Sequence, residues 1–277
     1  MSTATAEKLD NSVAKDELLD LDPRELRALA RTGKWTGTTE GLATGYAQAN
    51  LVIIPREAAF DFLLFCLRNP KPCPIVEVTD PGSPMITQVA DNADLRTDLS
   101  RYSVYEKGEL VAQPSDITEY WRDDLVGFLL GCSYSFETAL LNANIPLRHQ
   151  DEDKIVSIYT TDVQCAPAGR FSGPMVVSMR PIKHAQVVRA VQVTSRFPAT
   201  HGAPVHIGDP SVIGVDLEKT GFQTDFVGPR DGEVPVFWGC GCTPQAVAIN
   251  SKLDFIITHK AGHMFVTDTL SEEMAAL

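Results

Sequence analysis

Arg196, His201, His206 and Asp209 crowd into one irregular stretch, SRFPATHGAPVHIGDP at 195–210, broken by two glycines and three prolines. A segment of this kind is expected to be a loop, and loops on a rigid scaffold often carry function. Imidazoles titrate near neutral pH, so His201 and His206 are candidates for acid–base work. Arg196 offers a planar two-point grip on a carboxylate. The two histidines are five residues apart with glycine and proline between them, which rules out the helical i,i+4 arrangement of the zinc proteases. No metal is expected, although carboxylates from elsewhere in the fold leave that question open. The plainer alternative is that the rings satisfy backbone groups of their own loop.

A second candidate is the turn Gly239-Cys240-Gly241-Cys242-Thr243-Pro244, between an apolar strand and a helix. Thr243 suits an N-cap, Pro244 the first helical position, and free N–H groups at a helix start favour an anion. Gly239, Cys240, Gly241 and Thr243 are therefore candidate substrate contacts. Proline stands where a dinucleotide fingerprint needs its third glycine, and His259 and Lys260 stand where an acidic residue would be needed, so NAD is not expected. A cysteine at a helix start can be reactive, but a buried cysteine is more commonly an inert small hydrophobe.

The third group is Glu137, Arg148 and His149, which flank one helix, together with Arg180 at the end of the apolar run MVVSMRP. Glu137 and His149 could move protons, with Arg148 or Arg180 clamping an anion. A buried arginine demands a carboxylate, from the protein or from a substrate. Alternatively, Glu137 answers only its own helix dipole.

The composition sets bounds on these readings. The 277 residues are 44% hydrophobic and 22% charged, ordinary for a globular chain. The net charge of −12 disfavours nucleic acid and anionic lipid as partners. The opening residues have no basic start and no apolar core, so no secretion signal is expected, and no apolar run reaches membrane-span length. A cytoplasmic location follows as the expectation, with a homo-oligomer compatible with it. The six cysteines (66, 73, 132, 165, 240 and 242) form no C-x-x-C pair. Reduced thiols are expected, without a zinc ribbon or an iron–sulfur cluster.

The elements that must position these residues give a mixed α/β pattern. Asp22-Pro23-Arg24-Glu25 reads as a helix start. The stretch 33–45 reads as a glycine-rich loop, Leu51–Ile54 as a strand, 55–67 as a helix and 74–79 as a strand. Residues 102–112 suggest a hairpin around Lys107-Gly108. Asp116 and Glu119 at capping-box spacing predict a helix carrying Trp121, Leu125, Phe128 and Leu129 inward. A further helix is expected from Ser135 to Asn144. Strands at 155–163, 174–180, 205–207 and 212–215 surround a helix at 184–193. A strand VPVFW, a helix TPQAVAIN and a strand DFIITH then restore βαβ order. The expectation is a flexible tail at 1–21, a mixed-sheet α/β main domain at 22–150 and 233–277, and an inserted two-layer α+β module at 151–232. The loop at 195–209 and the turn at 239–243 are expected to share one cleft.

Several stretches together resemble a known family. They are GLATGYAQANLVIIP at 41–55, DFLLFCLRNPKPCPIVEV at 61–78, WRDDLVGFLLGCSYSFE at 121–137, NIPLRHQ at 144–150, GPMVVSMRPI at 173–182, SRFPATHGAPVHIGDP at 195–210 and VPVFWGCGCTPQAV at 234–247. Their types and order are similar to the bacterial proteins named putative hydro-lyases, which also occur as one module of animal D-glutamate cyclase. Thr44 and Cys242 depart from the pattern, standing where proline and an aliphatic residue are expected. The resemblance implies lyase chemistry that removes water and a link to glutamate or 5-oxoproline metabolism. It assigns no catalytic residue. Two functions are open: an enzyme acting on a small carboxylic or amino acid without an organic cofactor, and a non-catalytic small-carboxylate-binding protein that assists a metabolic enzyme.

Overall fold

The computed structural model describes residues 13–276. In chain order these form α1 (Pro23–Arg31), β1 (Tyr46–Pro55), α2 (Arg56–Arg68), β2 (Ile75–Val78), β3 (Met85–Ile86) and β4 (Ala93–Asp94). Next come β5 (Tyr102–Glu106), β6 (Glu109–Ala112), β7 (Leu125–Gly131), α3 (Glu137–Asn142), α4 (Arg148–Asp151), β8 (Ser157–Gln164) and β9 (Pro174–Lys183). The chain ends with α5 (Val187–Thr194), β10 (His206–Ile207), β11 (Glu233–Gly239), α6 (Cys242–Asn250), β12 (Ile256–His259) and β13 (Phe265–Leu270).

The main sheet runs β2-β7-β1-β12-β5-β6, with β13 also paired to β1. Strand β1 is its axis because apolar side chains occupy both of its faces. Val52 and Ile54 enter one core with Phe62, Phe65 and Phe128, while Leu51 and Ile53 enter another with Leu129, Ile257 and Phe265. Alternation along a strand sends neighbouring residues to opposite faces, so one uninterrupted apolar run supplies two cores. Helices α2 and α6 cover the first.

A smaller sheet runs β10-β11-β9-β8. One face of it packs through Ile182, Val236 and Trp238 against Phe136 and Leu140, and the other holds Val177, Met179 and Phe237. The α/β class expected from the sequence is what the structure shows. Every ladder between the described strands is antiparallel, where βαβ order would give parallel neighbours. Strand β11, expected in the main domain, instead pairs with β9 and β10 in the smaller sheet.

Two local expectations fail for identifiable reasons. Residues 125–131 form β7, not a helix, and all seven are buried between β1 and β2. Asp116 serves only a 3-10 turn at Thr118–Tyr120, accepting from Thr118 N at 2.7 Å. The expected strand at 212–215 is a 3-10 turn, Pro210–Ile213, capped by Asp209 and ended by Gly214 at φ +69°. The predicted hairpin is present, its turn carried by Lys107 and Gly108 with positive φ. Of the expected tail, residues 1–12 lie outside the described residues. Lys15–Leu18 form a 3-10 turn that buries Leu18 against Leu26, Trp35 and Val266, so this part is anchored by apolar packing.

Glycine fixes how closely β7 approaches the loop after α5. A β-carbon on Gly131 would stand 1.9 Å from the carbonyl oxygen of Ala199, and backbone cannot swing aside as a side chain can. Gly131→Ala is expected to destabilise the fold by about 2 kcal/mol, as overpacking does. Urea unfolding should show a lower midpoint at unchanged slope; an unmoved midpoint would contradict this packing.

Candidate active site

Strand β9 places Ser178 and Arg180 on one face, two residues apart. The segment after β7 turns tightly through Ser133–Phe136, so that Glu137 opens α3 directly opposite them. Glu137 and Arg180 are both almost wholly buried. Arg180 Nε donates to Glu137 Oε1 at 2.9 Å, and Nη2 donates to the same oxygen. Two further donors reach Ser133 Oγ at 3.0 Å and Ser178 Oγ at 3.1 Å. The guanidinium also lies over the rings of Phe136 and Trp238, at 5.2 and 5.5 Å from their centroids.

Helix α4 returns His149 to this point, with Ile145 and Leu147 anchoring the approach in the apolar core. His149 Nε2 donates to Glu137 Oε1 at 3.0 Å, and Gln150 donates to Glu137 Oε2 at 2.6 Å. A fourth ionisable group joins them from a distant loop. Thr39 ties that loop down: its N–H donates to Gly262 O, and its hydroxyl donates to Gln48 and accepts from Met264 N. The next residue, Glu40, is thereby pressed inward, with Oε1 3.1 Å from His149 Nε2. A single Nε2–H serves one acceptor, and it is directed at Glu137, so Glu40 Oε1 has an ionic neighbour but no hydrogen bond.

The electrostatics separate the two carboxyls. Burial alone would raise Glu137, but Arg180 and then His149 outweigh it and hold Glu137 at about 2. Burial raises Glu40 above the ordinary range, and its contact with His149 only partly opposes this. His149 is depressed by burial but lifted more by Glu137 and Glu40, to about 9. Two carboxyls pushed apart in acidity, next to a protonated imidazole, are a constellation suited to proton transfer. Glu40 and His149 also line an open cavity of about 1130 Å³, which gives a ligand access. Among the described residues, the reactive ends of Glu40, Glu137 and His149 lie close enough together to hold a cation.

The fold thus brings together Glu137, His149 and Arg180 from the sequence candidates and adds Glu40, which sequence reasoning passed over inside a glycine-rich loop. A lone carboxylate in TTEG beside a family-like stretch was the available signal. Arg180 is not free to clamp a substrate, because Glu137 and two serines occupy its donors. Arg148 is likewise engaged, donating to Gly228 O and Glu233. Arg196 is exposed and lines a separate surface cleft with Arg189 and Glu272. The proposed sharing of one cleft by Arg196 and the 239–243 turn is therefore corrected. His206 lies on the edge strand β10, bonding to Asp209 O at 2.7 Å and packing on Phe237.

His201 is buried, with Nδ1 2.9 Å from Lys71 O, and burial drives its pKa down to about 4. The turn at 239–243 is packed, not open. The N–H groups of Cys240, Cys242 and Thr243 bond to Val176 O, Cys240 Sγ and Cys240 O. The Thr243 hydroxyl bonds to both backbone groups of Val176, and a β-carbon on Gly241 would collide with Asn50 at 1.9 Å. The N–H groups of Cys240, Cys242 and Thr243, spent inside the fold, cannot receive a substrate anion.

Comparison with known proteins gives a consistent result. The family model described as D-glutamate cyclase matches residues 126–268. A Bacillus subtilis protein named "Putative hydro-lyase YcsI" is 57% identical over 92% of this chain and 99% of its own length. Proteins named "Putative hydro-lyase" from Stutzerimonas stutzeri and Psychrobacter arcticus are 56% and 53% identical, covering 93% and 94% of this chain and 97% and 99% of their own. A solved nitrogen repressor-like protein from Methanococcus jannaschii aligns at 11% identity over 88% of this chain and 94% of that one. Its TM-score of 0.38 is too low to define a shared fold.

Two measurements test the ion cluster. Arg180→Met should cost about 3–5 kcal/mol by stranding Glu137, whereas Arg196→Met should leave thermal unfolding almost unchanged. Equal effects would show that the buried pair is not what holds this region. The pH dependence has two sides. His149, lifted to about 9, contributes stability that is complete below its ordinary pKa of about 6.5 and lost as pH rises through 9. His201 and His263 at about 4 and His259 at about 3, all depressed by burial, contribute stability that is complete above 6.5 and lost as pH falls toward those values. Thermal unfolding of the wild type should therefore weaken on both sides, and His149→Gln should remove the part of the alkaline decline between about 6.5 and 9, leaving the loss at higher pH that comes from buried thiols and phenols such as Cys132 and Tyr102.

Proposed function

The chain belongs to the D-glutamate cyclase family, and from that premise we propose that it is a carbon–oxygen lyase removing water from a small carboxylic or amino acid. The family description and the names of the relatives support closure of D-glutamate to 5-oxoproline as the first reaction to try. The observation that carries a catalytic reading is Glu40. Its carboxyl is buried and raised in pKa, has its Oε1 held only by the contact with His149 at 3.1 Å, and sits at the wall of the large cavity.

In ring closure, the amine nitrogen forms a bond to the side-chain carboxyl carbon, one carbon–oxygen bond breaks, and the oxygen leaves as water. The nitrogen gives up a proton and the departing oxygen takes one. In this reading Glu40, protonated, supplies the proton to the leaving oxygen, and its carboxylate then accepts the one from nitrogen. Protonated His149 stabilises that carboxylate, while Glu137 and Arg180 are positioning residues that hold His149 in place. The same exchange serves elimination of water from a hydroxy acid, with the proton taken from carbon. The reading needs no organic cofactor and suits a cytoplasmic enzyme of glutamate metabolism. No described helix is long and apolar enough to cross a membrane.

Glu40→Gln keeps the size of the side chain and removes its proton exchange. It should lower kcat by about 10²–10⁴ on whichever acid proves to be a substrate, starting with D-glutamate and small 2- and 3-hydroxy acids, with little change in unfolding temperature. Full turnover in Glu40→Gln would sink this assignment.

A further inference from the structure

Among the described residues, the cations near Glu40 are each paired within the protein: Arg180 with Glu137, Arg148 with Glu233, Lys15 with Asp153 and Lys154 with Glu152. A different cavity, of about 340 Å³, lies on the other side of Thr38 and Ile155, which line both hollows. The two hollows have opposite character. The cavity at Glu40 is lined by Asp16, Asp20, Asp151, Asp153 and Asp225 as well, against two lysines, Lys15 and Lys154. Among the described residues lining the smaller cavity none is acidic, although the chain as a whole carries a net charge of −12.

The polar wall of the smaller cavity is a set of donors from three elements. Ser103 and Tyr105 come from β5, Gln245 from α6, and His259 ends β12; the Gln245 amide nitrogen is spent within the wall, 2.6 Å from His259 Nδ1 and donating to His259 O at 3.3 Å. Lys260 and His263 follow in a tight turn closed by a bond from His263 N to Lys260 O at 2.9 Å, with Gly262 at φ +80°. His259 Nδ1 accepts from Leu51 N at 3.0 Å, which leaves the ring proton on Nε2. Burial keeps both rings neutral, and the charges of Lys260 and Arg101 depress His263 further. Lys260 is therefore the one formal charge among the lining groups, surrounded by neutral O–H and N–H groups. The opposite wall is apolar, formed by Leu110, Phe222 and Ile249.

We propose that this cavity is a binding site for a small organic carboxylate, with Lys260 pairing the carboxylate and Tyr105 and His259 completing its hydrogen bonds. One ammonium matches one negative charge, whereas a phosphate dianion calls for more cationic partners than this wall holds. The apolar wall receives a carbon skeleton, as ligand pockets commonly do. The site stands on its own lining and does not depend on Glu40 being catalytic.

The test is a titration of the full-length protein with butyrate and, separately, with inorganic phosphate. The histidine ring signals are followed by NMR and identified with His259→Gln and His263→Gln. Butyrate should shift the His259 and His263 signals saturably. Lys260→Gln should weaken that binding by about tenfold, the worth of a charge-assisted hydrogen bond, while Lys260→Arg restores most of it. Glu40→Gln should bind butyrate as the wild type does, which separates this site from the reaction assigned to Glu40. Lys260 is only half-buried, so Lys260→Gln is expected to fold, and its unfolding temperature checks this. The proposal is overturned if butyrate gives no saturable shift at about 50 mM, if Lys260→Gln binds it equally well, or if phosphate saturates the site and butyrate does not.

Discussion

Burying the Arg180 guanidinium constrains everything around it. A charged group removed from water loses solvation worth several kcal/mol, and the protein must return that through close opposite charge and saturated hydrogen bonds. Glu137 answers with two bonds to one oxygen, and Ser133 and Ser178 take two further donors. The rings of Phe136 and Trp238 add attraction to the cation on its faces. The partners come from β9 itself, β11, α3 and the turn before α3, so satisfying one side chain fixes these elements relative to one another. The same pair then decides the state of His149, whose proton is held by the charge on Glu137.

Close approach of backbone makes this arrangement reachable. Gly131 lets β7 end against the loop at Ala199, and Gly241 lets the turn before α6 seat on Asn50. Asn50 in turn donates to Gly131 O at 2.8 Å, linking the two contacts. A residue type chosen for what it lacks thus brings the main sheet against the smaller one. Cys132, Cys240 and Cys242 fill the seam between them with Val176 and Met264. Burial holds the Cys132 and Cys242 thiols above their ordinary range, with Cys240 itself the larger cause for Cys242. These two are packing groups, not nucleophiles.

Charge is sorted at a larger scale as well. Acidic side chains outnumber the lysines around the opening to Glu40 and His149, and the cavity beyond Thr38 is left with Lys260 and neutral groups. Such a division favours different ligand ends in the two hollows, a cationic or neutral end near Glu40 and an anionic one near Lys260.

The sequence by itself determined what local chemistry decides. The Asp22 cap and Pro23 start of α1, the apolar run that became β1, the hairpin at Lys107-Gly108 and the helix after Gly241 all depend on neighbours a few residues away. Arg180 stood out because its type conflicts with an apolar run, and Glu137 and His149 because they flank one helix as a carboxylate and an imidazole. The class of fold and the resemblance to the hydro-lyases were legible for the same reason. Only the tertiary structure decided that 125–131 is a strand, since a short apolar run fits a helix or a sheet until β1 and β2 offer partners. It also decided that Arg196 faces solvent, that the N–H groups of Cys240, Cys242 and Thr243 are spent, and that Glu40 meets His149 from more than a hundred residues away. Burial and long-range pairing set the cost of a charge and the freedom of a donor, and neither is written in the residues on either side.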